Sequence, residues 1–329
     1  MSPVKIGTHD GVFHCDEVLS CVMLRLLPRY RDAAILRTRD QASLDECAVV
    51  VDVGGEFDPA RRRYDHHMVD FSMTMKELSE GTINAKTIVS SAGLVFWFYG
   101  KEVISEVLQL GQGDSSDHLE YVFDQLYWQL IREIDANDNH QIKNNIVKTG
   151  IASRVAHLRP SWDDQNQDFE AAFYRAYAMV NEELLFTLKR LSCDWRAKQM
   201  LKKKVQNRLE DHPSGKVIIL DKWINWIPFR KVLKEVKFVV VYDEEKRGYS
   251  CTCNTQEYDG AKGMKFPKAW WGLSGQKLED MSGVKGSNCV NVIKDGRKCW
   301  GPSKEVIIKM IEETLRLQRA NRESNNEKE

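Results

Sequence analysis

The chain has 329 residues, 42% of them hydrophobic and 29% charged, which is enough for a sizeable core and favours about two domains. Lys plus Arg and Asp plus Glu both number 48, so the formal net charge is zero and any attraction to nucleic acid or a membrane surface must be local. No apolar run approaches the ~20 residues that a membrane-spanning helix needs.

Strands and helices alternate in the first part of the chain. Strands are predicted at residues 4–8, 33–36 and 48–53 from their runs of aliphatic and β-branched side chains. A helix is predicted from the loop after the first strand to Leu27, a short helical segment between the second and third strands, and a further short strand ending at Tyr64. This order is typical of an α/β fold, with a mostly parallel sheet flanked by helices.

The middle of the chain is predicted to be helical. One helix begins near Ala92, and residues 118–134 carry apolar side chains at intervals of three and four, the period of an amphipathic helix. Residues 168–209 contain neither Pro nor Gly and predict one long helix or two in tandem, which suits a connector between domains.

The last part of the chain mixes both kinds of element. Strands are predicted at residues 216–221, 237–243 and 248–253, after the break "HPSGK". A helix at 303–318 is predicted to begin with Ser303 as its N-cap. This composition favours a second, smaller α+β domain.

Histidines and aspartates recur where the predicted strands and helices end. In open parallel sheets, ligands gather at the carboxyl ends of the strands. The side chains at these ends are His9, His14 and Asp16 after the first strand, Asp52 after the third, Asp65, His66 and His67 in "YDHHMVD", and Asp135 and Asp138 in "EIDANDNH".

Each of these residues has a simpler explanation when taken alone. His9 or His14 fits an ordinary loop, Asp52 fits a turn before Gly54, Asp135 fits a helix cap, and the "DHH" triplet fits coincidence. One shared site explains all of them together, so the sequence predicts a metal centre. Mixed His and Asp ligation suits Mn²⁺, Mg²⁺ or a catalytic zinc, whereas structural zinc prefers thiolates.

Three segments carry a resemblance to a known family. In this order, "GTHDGVFHCDE", "VVDVGGEFDPARRRYDHH" and "EIDANDN" resemble the Myg-type (melanocyte proliferating gene) family of the DHH phosphoesterase superfamily. The likeness extends to "SSAGL", "SRVAHLRP" and "MSGVKG". It implies a DHH-type metal-binding phosphoesterase domain at 1–165, a helical connector at 166–211 and a smaller substrate-binding domain at 212–320, followed by a polar tail at 321–329 that we expect to be disordered.

The resemblance also implies an activity. Superfamily members hydrolyse phosphodiesters or phosphoanhydrides, and the Myg branch is associated with 3′-to-5′ exonuclease activity on RNA. A two-metal centre of Mn²⁺ or Mg²⁺ would activate water for attack on phosphorus. Carried over to this sequence, the metal ligands are His9, His14, Asp16, Asp52, Asp65 and Asp135, with Asp52 bridging, and the catalytic residues are Asp65, His66 and His67.

An RNA substrate calls for cationic groups and aromatic faces. Residues 189–208 hold eight basic residues against one acid, which fits either the wall of a nucleic-acid channel or the solvated face of a helix. Arg154, in "SRVAHLRP", is a candidate phosphate contact. Lys265 and Trp270 are candidates in the smaller domain, where tryptophans also fit a core.

The C-terminal segment departs from the family pattern. DHH enzymes commonly carry a glycine-rich segment and a histidine or arginine that reaches into the cleft, and we expect this element after "CVNVI". This chain instead has "KDGRKCWGPSKE", without paired glycines, and no histidine after His212. Arg297 and Lys298 are the candidate replacements. Three functions therefore stay open: a 3′-to-5′ exoribonuclease, a hydrolase of small nucleotides or phosphoanhydrides, and a catalytically weak metal-binding paralogue that binds RNA or protein.

The eight cysteines favour a reducing compartment. Only Cys251 and Cys253 lie close together, and no pair has zinc-finger spacing. A strand is predicted almost at once after Met1, so we expect no mitochondrial presequence and a cytoplasmic or nuclear protein without a membrane partner. The sequence leaves the oligomeric state open.

Overall fold

A computed structural model describes residues 4–111, 116–142, 149–257 and 263–326. The chain divides into two compact units, Met1–Trp195 and Arg196–Glu329. The predicted α/β class is confirmed in both its parts: the first unit holds a mostly parallel sheet with helices, and the second holds a smaller mixed sheet with helices.

The first sheet has five strands. They are β1 Lys5–Thr8, β2 Ala34–Arg37, β3 Val49–Val51, β4 Phe57–Asp58 and β5 Arg63–Tyr64. The spatial order is β2-β1-β3-β5-β4, with β4 alone antiparallel to its neighbour. Because the other four strands run the same way, the loops that follow β1, β3 and β5 leave the same edge of the sheet.

Helices cover this sheet and extend the first unit. They are α1 Cys15–Arg25, α2 Gln41–Asp45, α3 Met75–Leu78, α4 Ser91–Leu108, α5 Ser116–Leu126, α6 Arg132–Asp138, α7 Ile151–His157 and α8 Phe169–Gln206. The predicted helix at 118–134 is divided: a π-helical turn at Tyr127–Ile131 separates α5 from α6. The long helix predicted at 168–209 is confirmed as one helix of 38 residues, α8, while its role as a connector between domains stays a prediction.

Helix α1 lies at the centre of the core of the first unit. Val18, Leu19 and Val22 are fully buried, and all residues from Cys15 to Leu24 are buried. With both of its long faces covered by apolar side chains, α1 is held firmly, and its N-terminus is fixed at the sheet edge where β1 and β3 end.

The second unit is built on a five-stranded sheet of order β6-β7-β8-β10-β9, in which only β6 and β7 are parallel. Its elements are α9 Arg208–Asp211, β6 Val217–Leu220, β7 Phe238–Asp243, β8 Gly248–Cys253, α10 Gly275–Ser282, β9 Asn291–Val292, β10 Lys298–Gly301 and α11 Lys304–Asn326. Ser303 caps α11 as predicted, since its Oγ accepts a hydrogen bond from the Val306 N–H at 3.4 Å.

The domain boundaries predicted at 165 and 211 stay predictions. Helix α8 runs through Phe169–Gln206, and α11 reaches Asn326. Helical structure therefore occupies most of the predicted tail at 321–329, and residues 327–329 lie outside the described residues. Within the described residues, none of the helices combines the length and the apolar character needed to cross a membrane.

The packing of α8 predicts unequal effects of two substitutions. Leu184 is fully buried in the core, whereas Phe186, two residues further on, is 67% exposed. We expect Leu184→Ala to lower the free energy of unfolding by about 2–5 kcal/mol because it leaves a cavity. Phe186→Ala, the matched control, should change it by less than about 0.5 kcal/mol. Urea unfolding of both variants measures the difference, and equal losses would contradict this packing.

Candidate metal centre

The loop between β1 and α1 brings four donor side chains to the sheet edge. His9 follows β1, and His14, Asp16 and Glu17 lie at the start of α1. His14 occupies the N-cap position, and its backbone N–H donates to both carboxylate oxygens of Glu17 at 2.7 and 2.9 Å. This capping arrangement turns the Glu17 side chain back towards the strand end.

Asp52 links the histidines of two segments. One carboxylate oxygen lies 3.3 Å from His9 Nε2 and the other lies 3.2 Å from His66 Nε2. The Ser91 hydroxyl donates to Asp52 Oδ1 at 3.1 Å. The backbone of Asp52 has φ of 60°, a conformation that costs energy for residues other than glycine and that concentrates at functional sites.

In the part of the chain that the structure describes, three groups of donor atoms lie close enough to hold metal ions. Within each group, the donor atoms are all within 4.8 Å of one another. The groups are His9, His14, Glu17 and Asp52; Asp52, His66 and His67; and His14, Asp16 and Asp138. Asp52 and His14 each belong to two groups, so ions in neighbouring groups would share a ligand, as in two-metal sites.

Six of the predicted site residues are thus brought together: His9, His14, Asp16, Asp52, His66 and His67. The predicted ligands Asp65 and Asp135 lie nearby, but neither belongs to a donor group. Glu17 and Asp138 take part instead; Glu17 was not among the predicted site residues, and Asp138 was named only beside Asp135 at the helix end.

Asp65 acts through its neighbours. Its Oδ1 accepts hydrogen bonds from the backbone N–H of His66 and of His67, and it lies 2.8 Å from His67 Nδ1. Its Oδ2 accepts a hydrogen bond from the Gly55 N–H at 2.6 Å. Both oxygens are therefore engaged by protein groups. Asp65 fixes the His67 ring and leaves Nε2 as the free ring nitrogen.

Asp135 is occupied by the start of α4. Its Oδ1 accepts hydrogen bonds from the Ser90 N–H, the Ser90 hydroxyl and the Gly93 N–H at 2.8–3.1 Å. A Cβ at Gly93 would lie 2.6 Å from both oxygens, so only glycine leaves room for this carboxylate. Burial raises the pKa of Asp135 to about 7. Oδ1 therefore anchors α4, whereas Oδ2 is buried without a hydrogen-bond partner among the described residues, and the role of Asp135 as a metal ligand stays a prediction.

Asp138, one helical turn after Asp135, reaches the centre instead. Its Oδ2 lies 3.2 Å from His66 Nε2. Burial and the neighbouring Asp16 carboxylate raise the pKa of Asp138 to about 8. A carboxyl group that resists ionisation in the metal-free protein is what a crowded set of acidic ligands produces.

Opposite charges stabilise one another in the metal-free centre. Burial disfavours protonation of His9, but hydrogen bonds with Asp52 and Glu17 outweigh it and raise the pKa of His9 to about 10. Burial likewise opposes protonation of His66, and the carboxylates of Asp16 and Asp52 raise its pKa to about 11. Although burial would raise the pKa of Asp52, contact with these two histidines lowers it well below its usual range.

The side chains present fit divalent metal ions. Both carboxylate oxygens of Asp16 are buried without a hydrogen-bond partner among the described residues, and so is Oδ2 of Asp135. Buried polar atoms are rarely left in this condition unless an ion or water completes them. The donors are imidazole nitrogens and carboxylate oxygens without thiolate, which matches Mn²⁺, Mg²⁺ or a catalytic zinc.

The centre opens into a cleft of about 700 Å³. Its walls include Asp16, His66, His67 and Arg159. His14 also lines it, and burial lowers the pKa of His14, which favours the neutral ring that a metal ligand needs. A cleft with carboxylates, imidazoles and one guanidinium suits a phosphate ester bound through metal.

The predicted substrate contact Arg154 lies elsewhere. Helix α7 turns Ala152, Ser153 and Ala156 towards the cleft, whereas Arg154 forms an ion pair with Glu183 on α8 at 3.5 Å. Residues 152 and 156 share one helix face, and residue 154 points away from it. The guanidinium that lines the cleft belongs to Arg159, which was not among the predicted substrate contacts.

The other predicted substrate contacts belong to the second unit. Trp270 is buried in its core against Phe266 and offers no exposed face. Lys265 lies 4.9 Å from the centre of the Trp271 ring. Arg297 forms an ion pair with Asp295. Lys298 lines a cavity of about 470 Å³ together with Lys222, Trp223 and Tyr242.

Comparisons with known proteins give one consistent result. The family model MYG1_exonuc, described as an uncharacterised protein family (UPF0160), matches residues 5–315. The chain is 35% identical to the protein named MYG1 exonuclease in Homo sapiens, covering 96% of this chain and 86% of that relative. It is 33% identical to a MYG1 protein of Caenorhabditis elegans, covering 87% and 88%, and 28% identical to a MYG1 protein of Saccharomyces cerevisiae, covering 94% and 95%.

One solved structure is also similar, at a level that supports no argument. It is the pGpG-specific phosphodiesterase PggH from Vibrio cholrae, with 10% sequence identity. The match covers 96% of this chain and 98% of that one, with a TM-score of 0.26.

Metal binding is expected to release protons. In the metal-free protein the raised pKa values of His9 and His66, about 10 and 11, keep both rings protonated at pH 7. Each must lose its proton before it can ligate, so the affinity for Mn²⁺ should rise with pH, by up to about tenfold per unit for each proton displaced. Titration calorimetry in buffers of different ionisation enthalpy counts these protons, and His66→Gln should lower the count. Binding that is independent of pH would contradict this ligand set.

The two aspartates of α6 are expected to behave differently. Asp135→Ala removes the acceptor for Ser90 and Gly93 and should lower the free energy of unfolding, measured in EDTA, by about 2–4 kcal/mol while leaving the bound-metal stoichiometry unchanged. Asp138→Ala should reduce metal binding with little loss of metal-free stability, because it relieves carboxylate crowding. Urea unfolding and elemental analysis measure the two properties. The reverse pattern would restore Asp135 as the ligand.

Proposed function

Because the chain belongs to the MYG1 family, whose model spans residues 5–315, we propose that it is a divalent-metal-dependent phosphodiesterase that removes nucleotides from the 3′ end of RNA. The observation that carries the proposal is the sharing of Asp52 between two groups of donors beside the unsatisfied carboxylate of Asp16. The names of the mammalian relatives, MYG1 exonuclease, support the same reaction class.

The residues of the centre divide into ligands and groups that act on the substrate. His9, Glu17, Asp16 and Asp138 are buried or partly buried and would hold the ions together with the shared ligands Asp52 and His14. When bound, two Mn²⁺ or Mg²⁺ ions would supply Lewis-acid activation of water and neutralise phosphate charge.

His67 is the best placed proton donor. Its side chain is 61% exposed, and the ring lines the cleft with Nδ1 held by Asp65. The hydrogen bond with the Asp65 carboxylate raises the pKa of His67, which favours the protonated ring that a proton donor needs. We assign to His67 the transfer of a proton to the leaving ribose oxygen, and to Asp65 the orientation of that ring.

His66 has a different role from its neighbour. It is buried, with Nε2 within 3.2–3.7 Å of carboxylates of Asp16, Asp52 and Asp138. This nitrogen faces the acids rather than open solvent, so His66 is proposed to be a ligand that also keeps their mutual repulsion low. The two histidines of the "DHH" triplet would thus serve metal and substrate respectively.

RNA labelled at its 5′ end tests the activity and its polarity. With Mn²⁺ or Mg²⁺, we expect a ladder of progressively shorter 5′-labelled products, whereas 3′-labelled RNA should release labelled mononucleotide at once. Asp52→Asn should lower the rate by about 10³-fold or more. Asp65→Asn should lower it by roughly 10- to 100-fold, since it misorients His67. Asp70→Asn, an exposed aspartate in the same segment, is the matched control.

Three results would change the proposal. Turnover confined to dinucleotides would favour a small-nucleotide hydrolase. Immediate release of label from the 5′ end would reverse the polarity. If single-stranded DNA, RNA and dinucleotides all stay intact while metal is bound stoichiometrically, the assignment as an enzyme falls, and a metal-binding protein without turnover replaces it.

A further inference from the structure

Arg159 is fixed at the edge of the metal cleft. Its Nε–H donates to the Phe13 carbonyl at 2.6 Å, and its guanidinium lies 5.9 Å from the centre of the Phe13 ring. Its two terminal amino groups have no hydrogen bond or ion pair in the described parts of the chain. A guanidinium anchored through Nε, with two free N–H groups on its outer edge, is prepared for two-pronged binding of a phosphate.

A second cavity adjoins the cleft at this residue. It has a volume of about 400 Å³, and Arg159 lines both spaces. The second cavity also receives His157 and Arg175, neither of which has a hydrogen bond or ion pair in the described residues. Together with Arg159, these two residues give the second cavity three basic side chains whose N–H groups are available to a ligand.

The acidic residues around this cavity are already engaged. Asp164 accepts a hydrogen bond from the Ser161 N–H at 2.7 Å, and Asp168 accepts one from the Ala171 N–H at 2.8 Å. Both bonds close local turns, at the loop after α7 and at the start of α8. Both acids keep their charge, but within the described residues neither forms an ion pair with His157, Arg159 or Arg175, which keep N–H groups available to a ligand.

The side chains of α7 that line the cleft leave room for a substrate between the metal ligands and Arg159. Helix α7 presents only small side chains to the cleft, at Ala152, Ser153 and Ala156. No bulky group of this helix stands between the metal ligands and Arg159 in the lining. A strand whose scissile phosphate lies at the metal centre has room to pass over this face to the second cavity.

We propose that Arg159 and Arg175, with His157, bind the phosphodiester next to the scissile one, on the 5′ side, as the 3′ end of the RNA lies in the metal cleft. The inference rests on the proposed function and adds a substrate subsite to it. The ligand class is an internal phosphate of a single-stranded oligonucleotide. Arg159 stands where the two cavities meet and contacts both phosphates, while Arg175 contacts the second phosphate alone.

This subsite makes a chain of at least three nucleotides a better substrate than a dinucleotide without a 5′ phosphate. The latter has only the scissile phosphodiester and leaves the second cavity empty. Each charge-assisted hydrogen bond to a phosphate contributes roughly a 10- to 100-fold effect when lost. The subsite should therefore raise kcat/KM for substrates of three or more nucleotides and have no effect on kcat/KM for a dinucleotide without a 5′ phosphate.

The test removes the phosphate charge from the substrate as well as the arginine from the protein. Two short RNAs are compared, both with a 2′-O-methyl sugar at the linkage on the 5′ side of the scissile one. One carries a phosphodiester at that linkage and the other carries a neutral methylphosphonate. Initial rates with 5′-labelled RNA give kcat/KM for the wild type, Arg175→Ala, Arg159→Ala and Arg159→Lys.

We expect the effects of the methylphosphonate and of Arg175→Ala on kcat/KM not to be additive. The methylphosphonate should lower kcat/KM of the wild type roughly 10-fold or more, and Arg175→Ala should lower it similarly on the phosphodiester. Arg175→Ala should lose little further on the methylphosphonate, because the two changes remove the same contact. Arg159→Lys should recover part of the activity of Arg159→Ala while still discriminating poorly between the substrates.

Arg31→Ala is the matched control. Arg31 is a surface arginine of the first unit, paired with Glu106 and absent from the lining of both cavities. Its discrimination between the two substrates should equal that of the wild type. Thermal melts of each variant separate loss of contact from loss of fold, and the methylphosphonate comparison in the wild type needs no variant at all.

The outcomes separate this inference from the function beneath it. If the wild type cleaves neither RNA, the proposed exonuclease falls and the subsite falls with it. If the wild type cleaves both RNAs equally well, or if the effects of Arg175→Ala and the methylphosphonate multiply, the subsite is wrong while the exonuclease stands.

Discussion

The buried carboxylate of Asp52 is the constraint on which the rest of the first unit depends. It lies 3% exposed between His9 and His66, with a second acid, Asp16, close by. Burying such charges costs several kcal/mol per ion unless each is paired in good geometry. The fold supplies that geometry with parallel strands that end at one edge and with a helix whose first turn is buried at the same place.

The ligand-bearing ends could be read from the sequence, but their orientation could not. The strands and the start of α1 follow from alternation and apolar runs, and the gathering of ligands at the carboxyl ends of parallel strands groups His9, Asp52 and His66. Asp135 and Asp138 lie three residues apart on one short helix, and only packing against α4 decides which carboxyl faces the centre. A local sequence pattern contains no information on this packing, so it does not distinguish the two aspartates.

Two further differences have the same physical origin. Arg154 and Arg159 both fall in "SRVAHLRP", but the helix ends at His157, so the later arginine leaves the helix and turns into the cleft. In the second unit, β9 has only two residues, too few for period-two alternation to be visible. Glu17 did carry a signal that was not used: an acid three residues after an N-cap position in a capping box.

Two arginines, Arg37 and Arg159, contact the Phe13 ring, and through them the loop between β1 and α1 depends on residues that are synthesised much later. Arg37 donates to the Gly11 carbonyl and to the Phe169 carbonyl, and it stacks on Phe173, while Arg159 holds Phe13 from the other side. The loop that carries the first ligands is thus completed by residues made some 150 positions later. On the ribosome, the nascent chain can therefore complete these contacts only after about residue 173 has emerged. Because the contacts join residues far apart in sequence, they form late, and the metal centre is complete only when most of the first unit has been synthesised.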